Sequence, residues 1–162
     1  MSRVAHYSGT LGSAVVEALK VTLLGGEKAA VLKRSTENPE AYQLCLKATH
    51  TWTRWTNEGF RTATKLFEQA LEHDPNYAMA RLGLGDIHAS WVMLGRHPPD
   101  LVKMRVELEA AIRHDPNLAD AHAVLGTVEA VYEWNWASAE SRFQTAVALD
   151  PRSAHVRNVH GL

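Results

Sequence analysis

Four side chains recur three times at steps of 3, 4 and 3 residues, and each set ends five residues before a proline. The sets are Phe60, Ala63, Phe67 and Ala70 before Pro75; Leu101, Met104, Leu108 and Ala111 before Pro116; and Trp136, Ala139, Phe143 and Ala146 before Pro151. Steps of 3 and 4 place all four members of a set on one face of an α-helix. Large and small residues fall at matching places, as interlocking packing against a neighbouring helix requires. The proline then ends the helix, because it lacks an N–H donor and its ring clashes with the preceding turn. The chain is therefore expected to be built from repeated helical units.

The other half of each unit is read forward from the proline. Leu84-Gly85 follows Pro75, Leu125-Gly126 follows Pro116, and His160-Gly161 follows Pro151, with the glycine ten residues past the proline each time. A glycine inside a helix costs about 1 kcal/mol relative to alanine. Its return at one phase predicts a close approach of two helices, backbone to backbone. Glu37-Asn38-Pro39-Glu40 reads as a weaker fourth stop, so the prolines lie 36, 41 and 35 residues apart. In the first unit Ala48 or Thr49 stands where the glycine is expected. The second unit carries an insertion: Gly85 to Leu101 spans 16 residues against 10 from Gly126 to Trp136. Pro98 and Pro99 within it stop the first helix, and Asp100 is placed to cap the second.

This pattern resembles the tetratricopeptide repeat (TPR), a helix–turn–helix unit with a period of about 34 residues. The resemblance implies an all-α fold, a right-handed solenoid of antiparallel helical hairpins. The expected division is a disordered N-terminus over residues 1–10, linker or capping helices over 11–36, and a repeat domain over 37–162. Its units span about 39–75, 76–116 and 117–151, with a partial fourth over 152–162. Glu37–Leu44 and Tyr132-Glu133-Trp134-Asn135-Trp136-Ala137 are similar to one bacterial subfamily. There the repeats follow a nucleotide cyclase, a serine/threonine kinase or a winged-helix regulator domain. The implied function is a protein-interaction scaffold without catalysis of its own; the alternative is a regulatory or dimerisation segment of a larger signalling enzyme or regulator.

Composition narrows the function classes. Net charge is -1, which speaks against a broad basic footprint for nucleic acid or an anionic membrane. No stretch approaches the roughly 20 apolar residues of a membrane span. The single cysteine, Cys45, can form no internal disulfide, and a cytoplasmic setting is expected. No His-Glu-x-x-His occurs among the nine histidines. His73 and His114 read as helix C-terminal residues, where a histidine favours the helix dipole. His88, His122 and His160 read as packing residues of first helices. Cys45 reads as a small core residue. Gly83-x-Gly85 follows a helical stretch where a dinucleotide fingerprint requires a strand. No cofactor, metal or catalytic residue is expected.

The concave face of such a solenoid commonly binds a peptide or helix of a partner. The positions that line this face in the family map onto Met79, Leu82, Asp86, Ala89 and Ser90, then Asp120, Ala123, Thr127, Ala130 and Val131. This lining is small, mixed and short of positive charge. Relatives that grip a chaperone's C-terminal carboxylate use lysine, arginine and asparagine there, whereas Leu82 and Asp86 occupy the corresponding places. Trp136, on the ladder, is expected in the core; Trp52, Trp55, Trp91 and Trp134 are expected to pack the hairpin turns, the alternative being an exposed contact patch. The uncapped C-terminal hairpin predicts self-association.

Overall fold

A computed structural model of the chain describes residues 36–93, 100–153 and 156, all within one unit, Ser35–Leu162. The expectations for residues 1–35, the 95–99 portion of the insertion, His160-Gly161 and most of a fourth hairpin lie outside these residues. The described elements are helices: α1 Pro39–Trp52, α2 Asn57–His73, α3 Ala78–Met93, α4 Leu101–His114, α5 Ala119–Val131 and α6 Trp136–Leu149. They pair in sequence as three antiparallel hairpins, α1/α2, α3/α4 and α5/α6. Each hairpin rests on the next through α2 on α3 and α4 on α5, and the first helices also meet across hairpins, α1 with α3 and α3 with α5. This is an all-α helical-repeat solenoid.

Local chemistry sets the same joint three times. The C-cap residues Asp74, Asp115 and Asp150 are extended, and their N–H groups donate to the carbonyls of Ala70, Ala111 and Ala146, each at 2.9 Å. Their carboxylates accept from the N–H two residues on: Asn76 at 3.0 Å, Asn117 at 3.1 Å and Arg152 at 2.9 Å. The aspartate thus satisfies amides that the proline-broken helix would leave bare. The second helix of each hairpin is capped at its start. Thr56 accepts from the Gly59 N–H, Asp100 from Lys103 and Asn135 from Ser138. Such caps contribute about 1 kcal/mol each.

Packing explains the recurring glycine, and corrects its expected role. A Cβ on Gly85 would lie 2.6 Å from Leu108 Cδ2, and one on Gly126 would lie 2.6 Å from Phe143 Cε1. The glycine seats the third side chain of its own hairpin's ladder, so helix meets side chain where backbone-to-backbone contact was expected. Phe67 finds its seat in the next hairpin, where a Cβ on Gly83 would lie 2.2 Å from the ring. Around these seats Phe60, Ala63, Phe67 and Ala70 are fully buried with Ala41, Cys45, Ala48 and Ile87. Met104, Leu108 and Ala111 are buried with Leu82, Leu125 and Val128.

Three further expectations are corrected. Glu37-Asn38-Pro39-Glu40 starts a helix: Asn38 caps α1 by accepting from the N–H groups of Glu40 and Ala41, with Pro39 at the first helical position. Proline is tolerated there because the first-turn N–H has no helical partner. Gly85 and Gly126 are each the eighth residue of their helix, and Leu46 holds that place in α1. The expectation at Ala48 or Thr49 was therefore out of register. Trp136, expected in the core, is 61% exposed.

Candidate peptide-binding groove

Among the described residues the third ladder is the one left open. Between α5 and α6 runs a groove of about 790 Å³. Helix α5 contributes Ala123, Thr127, Ala130 and Val131; α6 contributes Trp136, Glu140, Phe143, Gln144 and Val147. Val156, itself helical, closes one end by packing on Ala119, Ala123 and Ala146. At the other end Trp134 and Trp136 stack edge to face with ring centroids 6.1 Å apart. Trp134 is 75% exposed and has a left-handed backbone, φ 54°. Trp55 holds the equivalent place before the N-cap of α2, with φ 53° and half its surface exposed. A bulky residue is uncommon in this region, and each such position costs of order 1 kcal/mol. Trp52 and Trp91 are half-buried against the first core as expected, whereas Trp55 and Trp134 face solvent.

The ten family-derived positions divide in two. Ala123, Thr127, Ala130 and Val131 come together on the groove wall. Asp120 lies beside them and accepts a hydrogen bond from the Ser153 hydroxyl. The α3 set is mostly beneath the surface. Leu82 belongs to the core around Met104, with Ala89 packed against it. Asp86 and Ser90 are buried, and the Ser90 hydroxyl donates to the Asp86 carbonyl while accepting from the Trp52 indole N–H. Met79 is partly exposed. The groove residues of α6 escaped the sequence reading. Trp136, Glu140, Phe143 and Val147 follow the helical spacing of a core stripe, and only the slighter cover that the described residues give that stripe distinguishes it from the ladders of α2 and α4.

Polar groups secure α5 to its neighbours. Arg105 of α4 forms a two-armed ion pair with Glu133 and reaches Glu109 at 3.0 Å. These carboxylates, Glu133 first, raise the guanidinium above its ordinary pKa. Glu129 is buried, with Arg105 and Arg142 each 3.6 Å from one carboxylate oxygen. His122 is hydrogen-bonded through Nε2 to the Pro116 carbonyl at 3.1 Å. Burial holds its pKa below the ordinary histidine value against the opposing effect of that carbonyl. Arg81, at the same phase, is bonded to the Pro75 carbonyl and ion-paired to Glu107 at 2.9 Å. Burial also depresses His88 and raises the Cys45 thiol, the latter against the opposing effect of the nearby Tyr77 hydroxyl. Among the described residues no three His, Cys, Asp or Glu side chains group as metal ligands, and no helix is long and apolar enough to cross a membrane.

Residues 52–90, from the end of α1 through most of α3, match the tetratricopeptide repeat family model. That segment is what the chain shares in sequence with the tetratricopeptide repeat. The whole stack is similar in fold to solved TPR domains. One is the first TPR of Spaghetti (RPAP3) bound to the HSP90 peptide SRMEEVD, with a TM-score of 0.57 at 12% identity over 76% of this chain and 89% of that one. Another is the Arabidopsis OM64 TPR domain, with a TM-score of 0.58 at 13% identity over 75% of this chain and 92% of that one. No curated protein matches the sequence. Among the described residues the three hairpins differ from one another chiefly in how far the ladder face is covered.

Proposed function

We propose that this TPR chain is a protein-interaction scaffold without catalysis of its own, and that the α5/α6 groove is where it takes a peptide or helix of its partner. The observation that carries this reading is the groove itself. It is concave and mostly apolar, and is flanked by the exposed indoles of Trp134 and Trp136. Large aromatics with an apolar body and a polar edge are favoured anchors for partner chains. A protein-binding TPR neighbour of similar fold supports the class of activity. The buried thiol of Cys45 suits a reducing, cytoplasmic setting.

The test is a selection of random peptides on the immobilised full chain, repeated on Val131→Glu plus Trp136→Glu. Both residues are exposed, so the double variant is expected to keep the helical circular dichroism of the parent. Peptides selected on the parent are expected to lose binding to the variant. Undiminished binding to the folded variant contradicts the groove reading.

A further inference from the structure

Charge is unevenly shared among the hairpins. Residues 39–75 carry five acids and four bases, and residues 76–116 carry five of each. Residues 117–151 carry Asp120, Glu129, Glu133, Glu140 and Asp150 against the lone Arg142, and no lysine follows Lys103. The near-zero net charge of the whole chain conceals an acidic third hairpin, the one that holds the open groove. Part of that charge is answered from α4, where Arg105 pairs with Glu133 and stands beside Glu129. Among the described residues Glu140 has no such answer. It lines the groove, accepts only from the neutral Gln144 amide at 2.8 Å, and has no cation within ion-pair distance among the described residues. It is one helical turn from Trp136, whose exposed ring shares the groove. A carboxylate one turn from an exposed indole suits a guanidinium or ammonium, which can pair with the acid and lie over the ring.

We propose that the occupant of the α5/α6 groove is a cationic amphipathic helix of a partner protein, its apolar stripe on Ala130, Phe143 and Val147 and a lysine or arginine set between Glu140 and Trp136. The inference rests on the groove reading above and gives it a charge sign. It is the opposite of the acidic SRMEEVD peptide held by the Spaghetti domain, because a groove with a carboxylate and an acidic surround repels carboxylates. Exposed charges set preference and association rate more than total affinity, so the effect is expected as discrimination between ligands and as salt sensitivity.

The experiment uses the full chain and three fluorescein-labelled peptides of about four helical turns. Two share leucines at i, i+3, i+4 and i+7 and differ in carrying lysine or glutamate at the polar positions. The third is the lysine peptide with its leucines replaced by serine. In fluorescence anisotropy the lysine peptide is expected to bind about tenfold or more tighter than the glutamate peptide, weakening as salt rises. The serine peptide is expected not to bind. Glu140→Lys is expected to weaken the lysine peptide on the order of fivefold and strengthen the glutamate peptide. Equal binding of the two leucine peptides, or a stronger glutamate peptide, overturns the cationic partner while leaving the groove in place if Val131→Glu plus Trp136→Glu still abolishes binding. Binding by neither, or binding that survives that double variant, overturns both readings. So does binding by the serine peptide, which would make the attraction charge alone. A concentration-dependent dimer in light scattering that Trp136→Glu dissolves would seat a second copy in the groove and overturn the partner helix.

Discussion

The second helices α2 and α6 carry the same ladder and end at the same Asp-Pro joint, yet among the described residues one is sealed and the other lies open. Phe60 and Phe67 are wholly buried; Trp136 is exposed and Phe143 only half-buried. The difference lies in the neighbour: α3 lies across the first hairpin, while over the third the described residues supply only Val156. Phase on a helix therefore decides which way a side chain points, and the next element decides whether it becomes core or surface. A ladder that the described residues leave uncovered has the form of an apolar groove.

The largest test of that contrast is truncation at the two equivalent phenylalanines. Phe67→Ala is expected to lower unfolding free energy by about 3–5 kcal/mol, the cost of emptying a closed core site. Phe143→Ala is expected to cost roughly half as much, since its ring is already partly in water. Equal losses in urea titrations would show that the third ladder is as closed as the first. The glycine seats come next. Gly83→Ala places a methyl 2.2 Å from the buried Phe67 ring, and an overpacked site of this kind costs about 1–3 kcal/mol. An unchanged urea midpoint for Gly83→Ala would deny that the seat is tight.

Caps are expected to matter alike in closed and open hairpins, because they answer to the local backbone. Thr56→Ala and Asn135→Ala should each cost about 1 kcal/mol; a large difference between them would mean that the third hairpin is less well formed, and would blur the comparison. The smallest effect concerns pH. Burial depresses His88 and His122 in the folded state. The unfolded chain therefore binds more protons as pH falls below its histidine value of about 6.5. The stability attached to these neutral imidazoles is intact above that value and declines below it. His88→Gln plus His122→Gln is expected to flatten the slope between pH 7.5 and 5.5, and an unaltered slope would deny it.

Much of this fold was legible in the chain. The 3-4-3 ladder located α2, α4 and α6, the Asp-Pro stops located their ends, and Asp100 was readable as a cap. What escaped depended on partners that spacing cannot reveal. Pro39 looked like a stop because proline ends and begins helices with the same ring; Asn38, capping Glu40 and Ala41, decides for a beginning. Gly85 and Gly126 were rightly singled out, but their seated residues, Leu108 and Phe143, lie on the second helix. Of the family-derived groove positions, Leu82 is drawn into the core by Met104 and Leu108. Trp136 and Glu140, on the groove's second wall, were hidden inside what reads as a core stripe.

The measurement closest to the central claim is methyl NMR of the full chain during titration with the leucine–lysine peptide. Val131 and Val147 are expected to shift with saturation, while Leu84 and Leu108, sealed in the closed hairpins, stay in place. Shifts centred on Val102 and Val106 of the outer α4 face, or no saturable shift at Val131 and Val147, would contradict the account that the uncovered third ladder is the binding groove.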